Sequence, residues 1–113
     1  MSKATQTVDY LHSQLQTAQL WIGAVGRDDV TRQAAVVALD EAESDATATA
    51  DRFAGWDPPP GTDDIRDSVT THSDRVTEAL AAHRDQWETL PQLAGPLPRL
   101  AQQLEDLRQE LAQ

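Results

Sequence analysis

The residues best suited to metal or proton chemistry in this 113-residue sequence are three histidines, His12, His72 and His83, and nineteen carboxylates. There is no cysteine, which excludes disulfides and thiolate metal sites. His72 and His83 stand eleven residues apart. That spacing returns to one helix face but separates the rings by about 16 Å along the axis. The two cannot ligate one ion, and both are read as helix-face residues beside a core. Asp9 and His12 form a single D-x-x-H, whereas a di-metal bundle needs carboxylates and E-x-x-H pairs from several helices.

Acid–base catalysis would need paired carboxylates of which one is desolvated, so that its pKa rises. Glu41 and Asp45, with Arg52, follow one helix face, and Asp63, Asp64 and Asp67 cluster at a helix start. Their neighbours are Ala, Thr and Ser, which leave them in water. The sequence has no glycine-rich phosphate loop, nucleophile elbow or nucleotide motif. It predicts a protein that is not an enzyme and that uses no metal or cofactor.

The charge itself is the strongest pattern. Fifteen of the nineteen carboxylates fall within residues 28–88, while residues 10–26 carry no charge except through His12. Formal charge is zero over residues 1–25, −9 over 26–89 and −1 over 90–113, for a net −10. An uncharged segment beside an acidic one predicts that the first is covered and the second faces solvent. One Lys against eight Arg, thirteen Asp against six Glu, and eleven Thr are the balance that high-salt adaptation or GC-rich coding would produce. Excess negative charge hydrates a surface at the cost of self-repulsion. Nine basic residues scattered among nineteen acids supply no stripe for phosphate, so no direct contact with nucleic acid is expected.

Apolar content is thin, since 17 of the apolar residues are alanine. Small domains bury the smallest share of their surface, so a partner or a second copy would add what one chain lacks. The most apolar stretch, residues 20–25, is far too short to span a bilayer, and polar residues follow Lys3 where a signal peptide would be apolar. The expected location is the cytoplasm or the inside of a virus particle, without a membrane.

Four helices follow from periodicity. Over residues 4–25, Val8, Leu11, Leu15, Ala18, Ile22 and Val25 recur at spacings of three and four, one narrow stripe that Leu20 and Trp21 widen near its end. Gly23 and Gly26 supply the stop. Asp28 or Asp29 is then the expected N-cap of a second helix over 28–54, whose inner face is Ala35, Leu39, Ala42, Ala46, Ala50 and Phe53. Pro58, Pro59 and Pro60 end it. A third helix over 62–90 carries Ile65, Val69, His72, Val76, Leu80, His83, Trp87 and Leu90, and acids at its start suit the helix dipole. These two helices would make a hairpin about 40 Å long. Over 96–112, Leu97, Leu100, Leu104, Leu107 and Leu111 alternate three and four apart, an all-leucine seam over two heptads. Two heptads leave open whether the seam docks on its own bundle or meets another chain.

Trp21-Ile22-Gly23 resembles the turn of the small secreted helical hairpins named for W-x-G. In those proteins the tripeptide lies midway along the chain and a Y-x-x-x-D/E signal lies near the C-terminus. Here it falls at residue 21 and the single tyrosine is Tyr10, so the family's pattern is not met.

The sequence thus predicts an all-α fold: one domain over 1–113, a small helical bundle built on a long antiparallel α-hairpin, with an N-terminal helix and a C-terminal leucine-seam helix. The expected role is a structural or assembly subunit that oligomerises, or docks in a larger protein complex, through its first and last helices. The expected contact residues are Leu11, Leu15, Gln16, Gln19, Trp21 and Ile22 on the first helix, and Leu97, Leu100, Leu104, Leu107 and Leu111 on the last. Two alternatives stand beside it. One is an acidic helical regulator that sequesters a basic, nucleic-acid-binding partner. The other is a small secretion-associated helical protein.

Overall fold

The computed structural model describes residues 3–57, 60–82 and 95–112. These residues form four helices, α1 (Lys3–Gly26), α2 (Arg32–Ala54), α3 (Asp63–Ala81) and α4 (Leu97–Leu111), and no strand. The bundle measures 49 × 24 × 20 Å. Side-by-side packing of helices up to 24 residues long accounts for the elongation.

α1 is the helix against which the other three are arranged. Ala4, Val8, Leu11, Leu15, Ala18, Ile22 and Val25 step three and four residues apart, and none is more than 8% exposed. Burial of each large apolar side chain in such a stripe contributes about 1.5–3 kcal/mol before the entropy of ordering is set against it. α1 packs on α2, α3 and α4 alike. Its inner stripe is thus covered by the chain's own helices. Leu20 does not widen that stripe: it is 71% exposed, because it lies on the opposite side of the helix from Leu11, Leu15 and Ile22.

The chain leaves α1 through a turn that the sequence places differently. Gly26 is the last helical residue, and the left-handed conformation falls on Asp28, at φ 59°. The Asp29 N–H donates to the Ala24 carbonyl (2.9 Å) and the Asp28 N–H to the Val25 carbonyl (3.1 Å). Those two bonds make a Schellman motif with aspartate where glycine is usual. Neither Asp28 nor Asp29 caps α2. Thr31 does, its Oγ1 accepting from the Ala34 N–H at 3.1 Å.

α2 buries Ala35, Leu39, Ala42, Ala46, Thr49 and Phe53. Thr49 takes the place expected of Ala50, since it continues the alternation from Ala46 to Phe53. Its hydroxyl is satisfied locally, donating to the Asp45 carbonyl at 2.8 Å. Beyond the helix, Trp56 packs on Phe53 with ring centroids 5.3 Å apart. α3 shows the same one-residue rotation. Ser73 is buried with Val69, Val76 and Leu80, its Oγ donating to the Val69 carbonyl at 2.8 Å. His72 sits on the rim, its Nδ1 2.7 Å from the Ser68 carbonyl.

Thr7 and Tyr10, early in α1, share a groove with Thr49 and Phe53, late in α2, so these two helices run in opposite directions. So do α3 and α4. Arg75 and Ala79 line a groove with Pro96 and Leu100, and Ser68 and His72 line another with Asp106 and Glu110. α2, 23 residues long, also packs on α3. The continuation of α3 to residue 90, with His83, Trp87 and Leu90, lies outside the described residues.

Candidate functional site

The residues that α1 turns away from the bundle follow from its inner stripe. With Leu11, Leu15 and Ile22 inward, Gln6, Tyr10, Ser13, Gln16, Thr17 and Leu20 fall outside, and all six are exposed. From Gln6 to Leu20 the face is about 21 Å long at 1.5 Å per residue. Its two large side chains are Tyr10, 40% exposed, and Leu20, 71% exposed. Between them stand Ser13 and Thr17, both small, on the mid-line of the face, with Gln16 at its edge. None of these six carries a charge, and the one carboxylate within the same arc of the helix is Asp9, whose side chain is 34% exposed.

That neutrality contrasts with the rest of the surface. α2 and α3 each carry five carboxylates against two guanidinium groups. Asp40, Glu43 and Asp51 lie along one acidic face of α2. Charge returns at both ends of α1, and Arg52 of α2 lines the groove that Gln6 and Tyr10 border. Lys3 is exposed at its start. At its end Arg27 Nε pairs with Asp29 Oδ2 at 3.0 Å, beside exposed Asp28. On its flank, Asp9 is engaged by Arg108 of α4 at 3.3 Å.

The eleven expected contact residues separate into three groups. Leu11, Leu15, Ile22, Leu97, Leu104 and Leu107 lie in the bundle's own core. Trp21, Leu100 and Leu111 are partly buried and pack on that core from its edge. Gln19 is half-buried, and Gln16 is exposed. The structure therefore brings Gln16 onto the outer face with Tyr10, Ser13, Thr17 and Leu20. Ser13 and Thr17 belong to the uncharged polar positions of the first helix that the sequence marks as an interface, whereas Tyr10 and Leu20 are not among the expected contact residues. The signal that could have found them is the run free of Asp, Glu, Lys and Arg over residues 10–26, read on both sides of the helix.

The groups suited to other chemistry are placed apart. Glu41 and Asp45 are exposed, and Asp9 is committed to Arg108. Among the described residues no cluster of three or more His, Asp or Glu could hold a metal ion. No helix among them is long and apolar enough to cross a membrane.

No family model, no curated protein and no solved structure matches this chain.

Proposed function

We propose that this chain is a non-enzymatic assembly subunit, which oligomerises or docks in a larger protein complex through the outer face of α1. One observation carries the reading: along about 21 Å of exposed helix face the one ionised side chain is Asp9, already paired with Arg108, on a molecule of net −10. Solvent-facing helix positions are ordinarily filled by Lys and Glu, which hydrate well and support one another four residues apart. Gln, Ser and Thr can hydrogen-bond across a contact without the desolvation cost of an ion. The last helix contributes less than its leucine seam suggests, because Leu97, Leu104 and Leu107 are occupied within the chain. Only the edges of Leu100 and Leu111 remain for a neighbour.

Light scattering or mass photometry on the purified protein tests this, at low and at molar salt. A multimer is expected that strengthens with salt, since screening relieves repulsion between copies of like charge. Leu20→Glu is expected to shift it toward monomer while leaving the helical content unchanged, since Leu20 is 71% exposed. A monomer at every concentration, together with no complex recovered from its source, contradicts the reading.

The acidic face of Asp40, Glu43 and Asp51 on α2 favours a second reading, a regulator that sequesters a basic partner. The two differ in salt response, since a charge mimic releases its partner as salt rises.

A further inference from the structure

We infer that the partner of this face is the same face of a second copy, laid antiparallel about a two-fold axis level with Leu15. This rests on the assembly reading above and adds to it the occupant, the direction and the register.

The first argument is electrostatic. A second copy also carries −10, so acidic faces of α2 and α3 oppose each other on approach while the outer faces of α1 do not. A basic partner would gain nothing from a neutral face, and would be drawn to the carboxylates of α2 instead.

The second argument is shape. Ser13 and Thr17 lie two positions either side of residue 15, and Tyr10 and Leu20 lie five positions either side. Ser13 and Thr17, small and on the mid-line of the face, let two helix axes come within about 8–10 Å, with the longer Gln16 at the edge. The large side chains then flank the crossing, each placed against its counterpart: Tyr10 of one protomer on Leu20 of the other, twice by symmetry. A parallel pair would instead set Leu20 on Leu20 and Tyr10 on Tyr10.

The third argument is the charge at the ends. Antiparallel alignment about residue 15 puts Lys3 opposite the turn at residues 27–29. Arg27 there is already engaged with Asp29, and Asp28 is exposed, so each Lys3 meets a net negative turn. Parallel alignment would set Lys3 on Lys3 and one acidic turn on the other. The helix dipoles favour the same direction.

The absence of native cysteine permits a direct test. Gln6→Cys and Ala24→Cys are prepared separately, mixed, and treated with a short bis-maleimide, and intact masses of the products are read. These positions lie nine residues either side of the axis and leave Tyr10, Ser13, Thr17 and Leu20 in place. In the inferred register 6 faces 24, whereas 6 stands about 27 Å from 6. The mixed dimer is expected to exceed either like-with-like dimer by roughly tenfold, since linkage falls off steeply with separation. Like-with-like products in excess, or a statistical 1:2:1 mixture, overturn the inference. A multimer seen by light scattering without cross-linking in any combination overturns this register and leaves the assembly reading standing. A monomer by both methods overturns both.

Discussion

Arg108, in the last turn of α4, reaches back 99 residues to Asp9 of α1, Nη1 to Oδ1 at 3.3 Å, while its Nη2 lies 3.3 Å from Glu105 Oε1. Asp9 is the only carboxylate of α1. The one acidic charge on this helix is thus paired within the chain, by a guanidinium that it shares with Glu105. Both partners are substantially exposed, at 48% and 34%, so the energy of the pair is small. A double-mutant cycle with Asp9→Asn and Arg108→Gln is expected to return a coupling of about 0.2–1 kcal/mol in chemical denaturation, decreasing with salt. A coupling of several kcal/mol would mean that this bridge, and not apolar burial, positions α4.

Asp28 offers a stabilising substitution. An L-residue in the left-handed region costs about 1–2 kcal/mol relative to the right-handed one, and glycine escapes that cost. Asp28→Gly is expected to stabilise the fold by about 0.5–1 kcal/mol, because aspartate tolerates this conformation better than most residues. Thermal melting reads the gain directly. A lower melting temperature would show that the Asp28 side chain holds the turn in some further way.

For the leucine seam, burial changes the expected phenotype. Leu104 and Leu107 are 0% and 5% exposed. Leu104→Asp with Leu107→Asp is therefore expected to unfold the chain, where an exposed seam would only have lost its partner. Leu104→Ala alone should cost about 2–5 kcal/mol. Circular dichroism distinguishes the two cases: a fully helical double mutant would return the seam to the list of contacts between chains.

Gln16 and Gln19 provide the complementary test. Gln16 is exposed and Gln19 half-buried, so Gln16→Glu with Gln19→Glu should change monomer stability by less than about 1 kcal/mol. Assembly should weaken nonetheless, because each copy brings new charge to the neutral face. A loss of several kcal/mol in the isolated monomer would assign these glutamines to the bundle's own packing.

Salt should raise the melting temperature. α2 and α3 pack together while each carries five carboxylates against two guanidinium groups, and screening relieves that repulsion. Potassium chloride from low to molar concentration is the proper titrant, since sulfate strengthens apolar burial whatever the charge. A flat or falling melting curve would remove self-repulsion from the account.

The local features are those the sequence determined by itself. Stripes at three- and four-residue spacing locate α1, α2 and α4 to within a few residues, and the proline run after Trp56 ends α2, because hydrogen bonding and backbone sterics act within a few positions. What it could not specify is which stripe meets which. Apolar burial is non-directional, so Val8–Leu15–Ile22 and Leu97–Leu104–Leu107 read equally well as surfaces for another chain. Only the tertiary arrangement closes them on each other. The same arrangement decides finer matters: Thr49 for Ala50 and Ser73 for His72 are rotations of one residue, about 100°, fixed by where the neighbouring helix lies. It also turns Leu20 outward, and so converts an uncharged run of sequence into one covered face and one open one.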